Sequence, residues 1–275
     1  MGFWARKRVW IVGASSGIGE ALVRILVENG ASLVISARNE PKLRKLKSAF
    51  PSSSIEVLPV DVEDHSVLSF ATDRASEVYG GLDYVFLNAG MTVRDLVADT
   101  ELDVERKIMD INFWGPVAIT KAILKNRSPG SPLHLVLTSS LSGKYGVPKL
   151  AAYAGSKHAL QGYFDSLRAE TYGSGLFVHL VIPGFIRTNI TVAGLRGDGS
   201  RSGKMQAALA DGMEPEVCAR GILRGLERGR EEFVVGGSER FTVLLNRIFP
   251  GMMKRLIRSN PLQRIKKVKR GFFGN

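Results

Sequence analysis

Between residue 8 and about residue 235, short apolar runs alternate with longer stretches of helical periodicity. The first run opens "RVWIVGASSGIGEALVRILVENGA", a strand, then a glycine-rich turn, then a helix with Ala21, Leu22, Ile25 and Leu26 at helical spacing. Further strands are predicted in "SLVISAR", "SIEVLPVDV", "LDYVFLNAG", "LHLVLTSS", "LFVHLVIPG" and "EFVVGG". Helices are predicted over 64–79, 101–125, 150–172 and 214–228. Several of the runs lack polar alternation, as strands buried on both faces do. Strands alternating with helices imply βαβ units with right-handed crossovers. The predicted fold is α/β: a single Rossmann-type three-layer domain with a seven-stranded parallel sheet, spanning residues 1–240. No internal repeat or linker divides it. Residues 188–212, rich in Gly, Ser and Thr, follow a strand end and read as a substrate lid or as a variable loop.

Composition changes this picture in one place. The 275 residues are 44% hydrophobic and 23% charged, which is ordinary for a globular chain. The net charge is +12, but nine Lys/Arg and no Asp/Glu fall in residues 241–275, so the body carries only +3. That tail interleaves Leu244, Leu245, Ile248, Phe249, Met252, Met253, Leu256 and Ile257 with Arg247, Lys254, Arg255 and Arg258, and Pro250-Gly251 should split it into two helices. Such a segment either lies peripherally on an anionic membrane surface or docks on the domain or a second subunit. It has no aromatic platform for nucleic acid, which is not expected as a partner. The single cysteine, Cys218, allows no internal disulfide, and no Cys/His cluster suggests a metal. With no signal-peptide or membrane-spanning pattern, the expected location is cytoplasmic, free or peripheral at a membrane.

The glycine-rich turn has the spacing GxxxGxG: Gly13, Gly17 and Gly19, with Ser15, Ser16 and Ile18 between. Glycines let the backbone approach a pyrophosphate, and the helix N-terminus behind them favours an anion. The turn lacks the lysine of a triphosphate-binding loop. At the end of the second strand, where an acid would bond a ribose 2′-hydroxyl, stand Ala37 and Arg38. Arginine suits a 2′-phosphate, so NADP(H) is expected rather than NAD(H). The alternative is a solvated loop charge.

Tyr153 and Lys157 in "YAGSK" are four residues apart and share a helix face. A cation ~4 Å from the phenol at an effective dielectric of ~20 contributes roughly 4 kcal/mol. That would bring an acid of pKa ~10 down by about three pH units, before desolvation opposes it. Ser139-Ser140 closes the fifth strand, Asn112 sits within an apolar helix, Asn88-Ala89-Gly90 closes the fourth strand and Asp61-Val62 follows the third. Pro183-Gly184 and Thr188 follow the sixth. In this order and over residues 8 to about 235, these motifs resemble the short-chain dehydrogenase/reductase family, and look most like its branch of steroid- and retinoid-type reductases. Val12 and Leu87 stand where that family usually has Thr and Asn.

The resemblance implies an oxidoreductase that interconverts a carbonyl and an alcohol. Tyr153 would be the acid/base, Lys157 its partner and a ribose ligand, Ser140 a donor to the substrate oxygen, and Asn112 the holder of a water. Asp61 and Val62 would meet the adenine, Asn88, Ala89 and Gly90 the adenosine ribose, and Pro183, Gly184, Ile186 and Thr188 the nicotinamide. Phe185 and "LSGKYGVPKL" suggest an apolar substrate, lipid-, steroid- or retinoid-like, with a polar sugar or 3-ketoacyl substrate as the alternative. The resemblance further implies a homodimer or homotetramer. The competing class is a non-catalytic NADP(H)-binding sensor or scaffold, which would not need the proton relay.

Overall fold

The computed structural model describes residues 2–128 and 130–258. Seven strands form one sheet: β1 (Arg8–Val12), β2 (Ser32–Ser36), β3 (Ile55–Val57), β4 (Tyr84–Leu87), β5 (Leu133–Thr138), β6 (Leu176–Pro183) and β7 (Glu232–Val235). Their order is β3-β2-β1-β4-β5-β6-β7 and every pairing is parallel. The ten helices of the described residues are α1 (Gly17–Glu28), α2 (Glu40–Ser48), α3 (Leu68–Glu77), α4 (Leu102–Met109), α5 (Gly115–Asn126), α6 (Ala151–Glu170), α7 (Ala207–Ala210), α8 (Pro215–Glu227), α9 (Phe241–Ile248) and α10 (Pro250–Arg258).

Successive residues of β1 point to opposite faces, and both faces are buried. Trp10 and Val12 join the core shared with α3, α5 and α6. Val9 and Ile11 join the one shared with α1, α2 and α8. Two apolar cores on either side of one sheet explain why the strands read as unbroken hydrophobic runs. The chain reverses its winding between β1 and β4, and the crevice at their C-terminal ends is where such sheets bind ligands.

Two elements depart from the sequence reading, and a third is ordered where one of its alternatives was a variable loop. The predicted third strand stops at Val57 because Pro59 has no N–H to donate; Leu58 and Val60 still bond to Ile35 O and Ala37 O. The predicted helix 101–125 is interrupted by a π-turn, Asp110–Trp114. Pro116 cannot donate to the carbonyl one turn back, so the ladder must shift register nearby. Residues 188–212 are not a loose loop. Leu195 bridges Val93, donating to Thr92 O and accepting from Arg94 N, and Glu101 N donates to Gly197 O. The segment is stitched to the chain that follows β4.

The C-terminal segment divides at Pro250 as predicted, and Met253 is buried while Phe241, Leu244, Ile248, Phe249 and Met252 stay exposed. The basic residues beyond Arg258 lie outside the described residues.

Candidate active site

The glycine-rich turn leaves β1 under tight steric control. Gly13 has φ +90°, and a Cβ there would lie 2.5 Å from Ala89 N. Gly17 has φ +57°, and its Cβ would meet Thr188 Cγ2 at 2.9 Å. A Cβ on Gly19 would collide with Gly13 O. The turn therefore packs directly on the ends of β4 and β6, bringing Gly13, Ala89 and Thr188 to one crevice although 175 residues separate the first from the last. Asn88 fastens it: Nδ2 donates to Gly13 O at 3.1 Å and Oδ1 accepts from Thr138 Oγ1 at 3.1 Å. Ser16 precedes α1 with no side-chain cap, so its hydroxyl is not used up in holding the helix. Pro183 ends β6, Ile186 is buried and bridges Met213, and Phe185 points into solvent. Asp61 accepts from Glu63 N at 3.1 Å, and Val62 is buried beside Gly115. Arg38 is exposed two residues beyond β2, and no residue among those described forms an ion pair with it.

The second half of the site is built on β5, the π-turn and α6. Ser140 caps the short turn Leu141–Gly143, accepting from Ser142 N at 3.2 Å, and its side chain is hydrogen-bonded to the Tyr153 phenol. Lys157 is almost fully buried and its Nζ donates to Thr138 O at 2.8 Å. Asn112, fully buried in the π-turn, accepts from Met91 N and donates to Met91 O, both at 2.8 Å, and donates to Ser156 Oγ at 3.0 Å. Ser156 in turn donates to Tyr153 O at 2.8 Å. A Cβ on Gly90 would lie 3.3 Å from Asn112 Oδ1 and 3.6 Å from Lys157 Nζ. The four residues singled out for chemistry are thus brought together with the Asn88–Gly90 turn.

Two expectations about them change. Burial pushes the Tyr153 phenol up, and the hydrogen bond to Ser140 only partly offsets this. Lys157 Nζ lies 5.9 Å from the ring centroid and spends its charge on Thr138 O, so it does not draw the phenol down in this state. Instead burial lowers the lysine itself, to about 8. Both amide hydrogens of Asn112 are committed to protein atoms, leaving only its remaining Oδ1 lone pair on the side chain to meet a water.

Sequence reasoning missed the residues that orient these groups. Thr138 ties Asn88 to Lys157. Gln161 donates to Ser139 Oγ at 2.9 Å and lies against Gly143. Ser156 was legible only as a small spacer. Gln161 carried a signal, since it lies four residues beyond Lys157 on the same helix face.

The family described as short chain dehydrogenase matches this chain over residues 7–196. The chain is a short-chain dehydrogenase/reductase. Members of the family are oxidoreductases that bind nicotinamide cofactors. It is 37% identical over 236 residues to dehydrogenase/reductase SDR family protein 7-like of Drosophila melanogaster, covering 83% of this chain and 72% of that protein. It is 33% identical over 262 residues to dehydrogenase/reductase SDR family member 7B of Danio rerio, covering 92% and 85%. These place it in the member 7-like branch of the short-chain dehydrogenases/reductases. Among solved structures, a short-chain dehydrogenase from Streptomyces avermitilis superposes with TM-score 0.75 at 26% identity, covering 96% of this chain and 99% of that one. A family member from Burkholderia phymatum in complex with NAD gives TM-score 0.77 at 19% identity, covering 90% and 95%, and so shares the fold. The same holds for an alcohol dehydrogenase from Thermococcus sibiricus complexed with 5-hydroxy-NADP, TM-score 0.72 at 22% identity over 85% and 97%.

Proposed function

We propose that this short-chain dehydrogenase/reductase is an NADP(H)-dependent enzyme interconverting a carbonyl and an alcohol on an apolar, lipid-, steroid- or retinoid-like substrate. The observation that carries the reading is the convergence of Ser140, Tyr153, Lys157 and Asn112 beside the Asn88–Gly90 turn. The nicotinamide, when bound, supplies or accepts the hydride. The chain's own residues handle the oxygen. Ser140 and Tyr153 donate to it as charge develops, and Tyr153 transfers the proton. In this reading Lys157, held by Thr138 O and lowered by burial to about 8, returns a proton toward the phenol. Asn112 keeps the β4 turn and α6 in register.

Arg38 supports the choice of NADP(H), being the exposed cation at the end of β2 where an acid would repel a 2′-phosphate. The apolar substrate is supported by exposed Phe185 and by the cover that residues 188–212 form next to the β4 turn. A groove of about 490 Å³ between α4 and α6, lined by Leu102, Met109, Trp114 and Ala152, offers a surface for a second subunit; it excludes Tyr153 and Lys157. The exposed apolar residues of α9 and α10, set among Arg247, Lys254, Arg255 and Arg258, suit peripheral contact with an anionic membrane. Among the described residues no helix is long and apolar enough to cross one.

The test is a fluorescence titration with NADPH and NADH for the parent and Arg38→Ala. Tighter NADPH binding that Arg38→Ala removes is the expected result. Equal affinity for both nucleotides in the parent overturns the NADP(H) assignment.

A further inference from the structure

The start of the C-terminal segment is wired to both walls of the site. At the ends of β6 and β7, three glycines leave a hollow that one carboxylate occupies. A Cβ on Gly184 would collide with the Glu239 carboxylate, one on Gly236 would lie 2.7 Å from its Oε1, and one on Gly237 2.9 Å from its Oε2. Glu239 Oε1 accepts from Phe185 N and from Gly237 N, each at 3.0 Å. Burial alone would raise this carboxyl, but hydrogen bonds from the backbone N–H groups of Glu239 itself, Phe185 and Gly237 bring it below the ordinary carboxylate range. The chain then continues into α9. Thr242 Oγ1 donates to Glu239 O at 2.6 Å, which leaves Tyr145 OH to donate to Thr242 Oγ1 at 2.7 Å. One turn on, Asn246 Nδ2 donates to Lys144 O at 2.9 Å. Lys144 and Tyr145 belong to the loop that runs from Ser140 to Tyr153.

We infer that Glu239 is a positioning residue and that residues 239–246 act as a strap joining the loop 183–188 to the loop 140–150. This rests on the reading of those two loops as the nicotinamide side and the substrate side of one site. The strap sets their separation, because its attachment points, Glu239 and residues 242–246 of α9, follow one another within eight residues of helical chain. A carboxylate suits this role because it accepts from several N–H groups at once and its hydrogen bonds are charge-assisted. The glycines serve the same end, since any side chain at Gly184 would expel it. The strap also makes the C-terminal segment part of the catalytic domain, rather than an appendage beginning at residue 241.

The experiment uses the full chain with Glu239→Ala, Glu239→Gln and Thr242→Val. Each is followed by hydrogen exchange without nucleotide, and by steady-state kinetics with NADPH and a carbonyl that the parent reduces. Loss of a charge-assisted bond corresponds to roughly a ten-fold effect. Glu239→Ala is therefore expected to raise the KM for NADPH about ten-fold or more, with a smaller change in kcat. It should speed exchange at the amides of 184–188 and 237. Glu239→Gln, whose side-chain oxygen still accepts from Phe185 N, should recover most of that loss. Thr242→Val should speed exchange in 141–147 as well as 184–188. The inference is overturned if Glu239→Ala leaves exchange in 184–188 unchanged, or if Gln is as damaging as Ala in a folded protein. The exchange readout needs no nucleotide. A parent that binds no nicotinamide nucleotide would therefore defeat the proposed function while the strap still stood or fell on its own data.

Discussion

Replacing Lys157 by Met should stabilise the protein while disabling it. Lys157 is 4% exposed, and burial brings its pKa from 10.5 to about 8. At 1.36 kcal/mol per pH unit, the charge weighs against the fold by about 3 kcal/mol at pH 7. Against this stands one hydrogen bond to Thr138 O, whose loss costs about 1–1.5 kcal/mol. Methionine keeps the unbranched stem that packs beside Tyr153. The net expected gain is about 1–2 kcal/mol at pH 7, a rise in Tm of about 2–8 °C for a domain near this size. The sign follows from linkage. Between pH 8 and 10.5 the unfolded wild type binds more protons than the folded one, so wild-type stability rises with pH across that window. The advantage of the variant should therefore be full below pH 8 and gone by pH 10.5, where only the lost hydrogen bond remains. Urea unfolding of both proteins at pH 7 and pH 10, followed by circular dichroism, measures it. A Lys157→Met protein that is less stable at pH 7, by an amount that does not change with pH, would refute the reasoning: the lysine would then be held by a partner that outweighs its burial.

Asn112→Leu should destabilise by roughly 2–6 kcal/mol in urea unfolding, since it leaves Met91 N–H and C=O without their buried partner. Gly17→Ala should weaken nucleotide binding, and adding Thr188→Ser, which removes the methyl 2.9 Å from the new Cβ, should recover only part of it because φ stays at +57°; full recovery would show that backbone strain is not limiting. His134 Nδ1 and His179 Nε2 are 2.9 Å apart on adjacent strands, with Tyr84 and Phe177 stacked on His134. Burial, then the neighbouring His179, lowers His134 to about 4, so the unfolded chain takes up protons first as pH falls from 6.5 to 4, and stability should be lost across that window. Replacing His134 with Phe should flatten the pH dependence of Tm there.

How much of this was legible in the sequence differs from residue to residue. The sheet was, because strands covered on both faces must be mostly apolar, and residues 9–12 of β1, 84–87 of β4 and 135–137 of β5 are unbroken apolar runs. Tyr153, Lys157 and Ser140 were, because helical spacing and a strand end place them together. The π-turn was not: periodicity over 101–125 runs through Asp110–Trp114 without a visible break, and only Pro116 hints at a shifted register. The strap was not either. Glu239 reads as one more surface acid, and its meaning depends on Gly184, 55 residues away and just beyond the end of β6. The direction of the Tyr153 shift was missed because spacing along a helix reports proximity but not burial, and burial dominates for both members of the pair.

In the proposed function Tyr153 carries the proton for a carbonyl–alcohol exchange with a nicotinamide. That role is tested most directly by Tyr153→Phe, measured for NADPH affinity by fluorescence and for turnover on a panel of apolar ketones and aldehydes. Affinity within a few-fold of the parent and a loss of turnover of at least about 10²-fold are expected. Turnover close to that of the parent, with binding intact, would contradict it.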